Sequence, residues 1–158
     1  MNEAKNVTPK ESLKAELSDV VYDKTQWEGR STDGLLQWLV DFVIRTDISI
    51  AINLTIGGNI VSGMLIPHKK YFETLSEDIS ALFETAGPES AAALKRTVLS
   101  LQPLQHAGID ETAPQFLHLE KAHIFSGKSG SINSEGMLWR GKISAVEGFS
   151  LGMLRNGN

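Results

Sequence analysis

The sequence predicts an α+β fold: an antiparallel sheet preceded by one helix and broken by a helical insert between its second and third strands. Three patterns carry this expectation. Large aliphatic residues alternate with small or polar ones over 48–56, and a second apolar run returns over 60–66. Helical periodicity then fills about 69–101, and strand character resumes from 116. A period of two puts alternate side chains on one face of a strand, whereas positions i, i+3 and i+4 share one face of a helix.

The elements follow in order. Residues 1–30 set Lys5, Lys10, Lys14, Lys24 and Arg30 against Glu3, Glu11, Glu16, Asp19, Asp23 and Glu28, with few large apolar side chains before Tyr22 and Trp27. They read as a mobile N-terminal arm with a marginal helix near 9–22, leaving 31–158 as one α+β domain. Asp33 offers an N-cap. In the helix that follows, Leu35, Leu36, Leu39, Val40 and Val43 recur at helical spacing, and Trp38 and Phe42 widen the stripe. So wide a stripe needs cover from the core or from another subunit.

The strand signal is clearest at Ile48, Ile50, Ile52, Leu54 and Ile56, all expected on one buried face. Gly57, Gly58 and Asn59 tolerate positive φ and turn the chain into 60–66, which Pro67 ends because it has no N–H to donate. Phe72, Leu75, Ile79, Leu82 and Ala86 form the first face of the insert. Gly87 stops that helix, and Pro88 opens a second one lined by Ala91, Leu94, Val98 and Leu101. A loop is expected over 102–114, then strands at 116–125, 137–144 and 149–154.

Composition narrows the chemistry. A chain of 158 residues with 41 % hydrophobic and 22 % charged side chains needs no covalent staple to fold. The absence of cysteine removes thiolate zinc sites, iron–sulfur clusters and cysteine nucleophiles. A net charge of −4 gives no general attraction to phosphate backbones or anionic lipid. No apolar run approaches the ~18 residues of a membrane span, and the N-terminus lacks the apolar stretch of a signal peptide. The expected location is the cytosol.

Catalytic and cofactor motifs are missing. His68, His106, His118 and His123 show no HExxH spacing, and the odd separation of His118 and His123 points them to opposite strand faces, against a shared metal. Gly127–Lys128–Ser129 resembles the end of a phosphate-binding loop, but Ala122 stands where its first glycine belongs. A hairpin loop is the expectation there. No nucleophile elbow or dinucleotide fingerprint occurs, and the carboxylates lie scattered over helix surfaces. No enzyme activity, metal or cofactor is expected.

The candidates are therefore contacts. Trp139 and Gly141 share one face of a strand, with Arg140 and Lys142 on the other. Trp and Arg are enriched at the centres of interfaces, so this block reads either as a contact patch or as a core-edge tryptophan beside two solvated cations. The last strand, with Phe149, is apolar, and either closes the sheet or pairs with another copy. Trp38 joins the candidates from the first helix.

The runs FLHLEKAHIFSG and LWRGKISAVEGFSLG resemble the gas vesicle accessory protein GvpU family, as do ISIAINLTIGGNIVSGMLI and the KKYFETL after it. Together these segments cover roughly 35–85 and 115–153. The resemblance implies a non-enzymatic protein that organises or clusters gas vesicles in the cytosol. Its implied partners are the vesicle shell or other gas vesicle proteins, and itself as a homo-oligomer, with no membrane. A second similarity is to the Sm/SH3-like small barrel, through the glycines at 57, 58 and 63 and Arg140–Gly141. It implies a partly open barrel and, as the alternative function, RNA binding. Pro67–His68–Lys69–Lys70 stands in place of that family's Asp/Asn pair, and the acidic composition also argues against nucleic acid.

Overall fold

Helix formation starts where the sequence places a cap. In the computed structural model, which describes residues 32–103, 113–127 and 130–154, Asp33 Oδ1 accepts hydrogen bonds from the amides of Leu35 (2.9 Å) and Leu36 (3.1 Å). The helix α1 spans Gly34–Thr46 and ends on Asp47, whose left-handed φ of 59° returns its N–H to Val43 O. The expected arm at 1–30 lies outside the described residues.

Strands β1 (Ile50–Ile56) and β2 (Asn59–Ile66) form the expected hairpin. Gly57 and Gly58 make its two-residue loop at φ 56° and 75°, the positive pair that a type I′ turn requires. The insert follows as α2 (His68–Leu82), a 3₁₀ turn at Glu84–Ala86 and α3 (Pro88–Ser100). Next come β3 (Phe116–Phe125), β4 (Met137–Lys142), a second 3₁₀ turn at Ile143–Ala145 and β5 (Gly148–Leu151). Both late strands are shorter than expected, since the turn at Ile143 ends β4 and Gly152, at φ 113°, ends β5.

The five strands are antiparallel in the order β4-β3-β2-β1-β5. With β4 beside β3 and β5 beside β1, two separate edges stay open among the described residues, so the sheet does not close on itself. The segment Pro67–Lys70 caps and begins α2 rather than forming a strand-end loop.

Helix α1 covers one face. Leu36, Leu39, Val40 and Val43 bury against Ile52, Leu54, Val61, Leu65, Leu117, Leu119, Ala122 and Ile143, with Ile50, Ile56, Trp139 and Phe149 at the margin. Two expectations fail here. Leu35 is 62 % exposed because it sits on the flank of α1, and Ile48 is 52 % exposed because β1 begins two residues later.

The helical insert covers the other face over β2, β3 and β4, where Ile66, Tyr71, Phe72 and Val98 form a smaller core with Leu75, Ile79 and Leu138. Lys70 ties α2 to Glu120 of β3 at 2.7 Å, and Lys95 of α3 reaches Glu77 of α2 at 3.7 Å. Because α3 lies on α2 rather than on the sheet, Val98 alone of its stripe is buried; Leu82 and Leu101, expected on the apolar faces, are exposed.

A bulge in β3 corrects the histidine geometry. Lys121 adopts φ 50°, and the register slips there against both β2 and β4. His118, Glu120 and His123 consequently pair with Ile66, Met64 and Ser62, alternate positions of β2, so both histidines share a face. Their partners stand four residues apart, too far to share a metal ion, and no group of three or more potential ligands occurs among the described residues. Gly63 fits because a Cβ there would lie 3.0 Å from Ala122 Cα. Asn133 fills the disrupted ladder, donating to Ala122 O at 2.8 Å and accepting from Ile124 N at 3.0 Å.

Candidate interaction site

Strand β4 presents its candidates as the alternation requires. Trp139 and Gly141 pair with Leu119 and Leu117 on the α1 side, while Arg140 and Lys142 pair with His118 and Phe116 on the insert side. The Trp139 indole folds over Gly141 and occupies the position a Cβ would take there. Glycine is needed at 141 for that close approach. Trp139 and Phe149 are both half-buried against the α1 core. Trp38 is 58 % exposed and stacks on Phe42 with ring centroids 5.7 Å apart.

The five candidates thus do not converge on one patch. Trp139 and Phe149 belong to the α1 side of the sheet and Trp38 to the outer flank of α1. Arg140 and Lys142 belong to the opposite face.

The insert side holds a polar constellation that the sequence reading missed. His118 is fully buried between β3 and α2, its ring 4.1 Å from Tyr71 and 4.7 Å from His68, centroid to centroid. Arg140 Nη1 lies 2.8 Å from His118 Nε2. A guanidinium only donates, so Nε2 accepts and the neutral ring carries its proton on Nδ1, which has no partner among the described residues. Burial, then His68, then the Arg140 charge push the His118 pKa down to about 3, so the ring stays neutral near pH 7. Burial also lowers His68, against a hydrogen bond to the Phe116 backbone that raises it. The Arg140 guanidinium is sandwiched further, with Cζ 4.1 Å from the Phe116 ring centroid and 5.5 Å from that of Phe72. The missed signal was the run Phe-Leu-His-Leu, which puts a histidine between two core positions of a strand covered on both faces.

Among the described residues no helix is long and apolar enough to cross a membrane. The loop 126–136 joins two antiparallel neighbours with no helix after Gly127, so it is a hairpin connection; Lys128 and Ser129 lie outside the described residues. Comparison with curated proteins and with solved structures gives no match. A family model described as gas vesicle protein GvpU-like does match, over residues 33–154. Its span runs from the Asp33 cap through the helical insert to the end of the sheet. By that match the chain belongs to the gas vesicle protein GvpU-like family.

Proposed function

We propose that this gas vesicle accessory protein organises or clusters vesicles in the cytoplasm by binding the shell and associating with itself, without catalysis or a cofactor. The family match over 33–154 carries the reading. Two features of the fold support self-association. Among the described residues, strand β5 leaves one row of backbone donors and acceptors on an open edge with no charged residue, and its Leu151 is 64 % exposed. Helix α1 adds exposed Leu35 and Trp38 on its outer flank, with Trp38 stacked on the half-buried Phe42.

A clustering protein needs multivalency, because weak contacts hold large particles only when repeated. Purified vesicles mixed with the protein are expected to sediment or float as clusters and to retain the protein. Vesicles that stay dispersed, with all protein left in solution, would defeat the reading. Light scattering tests self-association separately: a monodisperse 17.3 kDa species at high concentration removes it.

A further inference from the structure

Arg140 combines exposure with a fixed headgroup. Its guanidinium donates to His118 Nε2 at 2.8 Å and lies against Phe116 and Phe72, yet none of the ion pairs among the described residues includes it. His118 holds the group without neutralising it. The remaining N–H donors form the planar fork that matches a carboxylate, and Lys142 projects from the same face two residues along.

The same chain carries a complementary surface elsewhere. Glu73 and Glu77 of α2 are paired with Lys69 and Lys95. Asp78 on the outer side of α2 and Glu84 and Glu89 at the far end of the insert are exposed, and no ion pair among the described residues includes them. Phe72, beside Arg140, and Glu84 are separated by about twelve residues, roughly 18 Å at 1.5 Å per residue. A guanidinium seated against Phe72 does not span that distance. Glu84 and Glu89 can therefore meet Arg140 only between molecules, and no ion pair among the described residues joins Asp78 to it.

We propose that Arg140, with Lys142 beside it, receives carboxylates from Asp78, Glu84 and Glu89 of a second copy, joining copies head to tail. This rests on the self-association reading and specifies its geometry. A head-to-tail contact leaves a free receptor at one end and a free acidic tip at the other, so growth is open-ended. A second copy is favoured over a foreign partner because this acidic chain supplies both halves of the contact. Each link is individually weak and salt-sensitive, with a Debye length of about 3 Å at 1 M salt.

The test pairs two charge reversals in the full chain. Arg140→Glu reverses the receptor, and the triple variant Asp78→Lys, Glu84→Lys, Glu89→Lys reverses the tip at exposed positions that do not contribute to the core. At low salt, light scattering should show association of each variant alone weakened at least about tenfold. An equimolar mixture should regain wild-type assembly, because each reversed receptor meets a reversed tip and each native receptor a native tip. Undiminished assembly of the tip variant overturns the proposal, as does a mixture of folded variants that fails to recover. If Arg140→Glu lowers vesicle retention while assembly stays intact, the receptor faces the shell and the head-to-tail contact is wrong. Wild-type protein that clusters vesicles alongside such a failure leaves the functional reading standing; wild-type protein that leaves vesicles dispersed removes that reading itself.

Discussion

The two faces of the sheet are built on different principles. The α1 face is a continuous aliphatic core in which Ile52, Leu54, Leu65, Leu117 and Leu119 are fully buried under one helix. Among the described residues the insert face has four buried hydrophobic side chains, and beside them sit fully buried His118 and Ser76. The first face draws its stability from apolar area, which is non-directional and tolerant of detail. The second depends on aromatic rings and one guanidinium arranged around a neutral imidazole, where a lost partner leaves a buried polar group exposed to an apolar environment. Stability and specificity therefore sit on opposite sides of one sheet.

The largest test of that contrast is Ile52→Ala on the aliphatic face. It should cost roughly 2–5 kcal/mol in urea unfolding, nearly independent of pH between 4 and 7. The insert face should behave in the opposite manner. The folded-state pKa of His118 lies below its unfolded value of 6.5, so the unfolded chain binds more protons and stability falls as pH drops below 6.5 toward 3. By pH 4 this amounts to up to about 3 kcal/mol, with His68 acting in the same direction. His118→Gln keeps an acceptor for Arg140 and removes the titration, so it should flatten the pH dependence of the unfolding midpoint. An unchanged slope would erase the distinction between the faces.

At the margin between them, Gly141→Ala pushes a methyl into the Trp139 indole and should destabilise by about 1–3 kcal/mol, with an altered near-UV circular dichroism signal. The smallest effect belongs to Leu151→Lys on the β5 edge. It should change folding stability by no more than about 0.5 kcal/mol while reducing association in light scattering, since a charge on an open edge opposes strand addition.

The same contrast explains what was legible in the sequence. Strict alternation at Ile50–Ile56, the Gly57–Gly58 turn and the Asp33 cap are local signals, and each element they define is present. The faces of Arg140 and Trp139 followed from alternation alone. What escaped depends on contacts between distant segments. The bulge at Lys121 reverses the parity of β3, so counting residues from His118 to His123 gave the wrong faces. The role of His118 required knowing that α2 would cover it, and the exposure of Leu35 required the direction in which α1 lies on the sheet. Periodicity reports which residues share a face but is silent about what covers that face.

The pairing of β1 with β5 also imposes an order on biosynthesis. Asn53 and Ser150, whose side chains meet at 3.2 Å, are 97 residues apart. At about 5–20 residues per second, a ribosome needs roughly 5–20 s to travel from one to the other. During that interval β1 has its hairpin partner on one side and open backbone on the other, while its aliphatic face waits for Leu117, Leu119 and Ile143. Loop closure over such a span is slow, and an unpaired apolar strand is a template for neighbouring chains. Nascent copies on one message would be most prone to mispair in this window, so the yield of soluble protein should fall as synthesis is driven faster and recover when elongation through 116–151 is quickened relative to initiation.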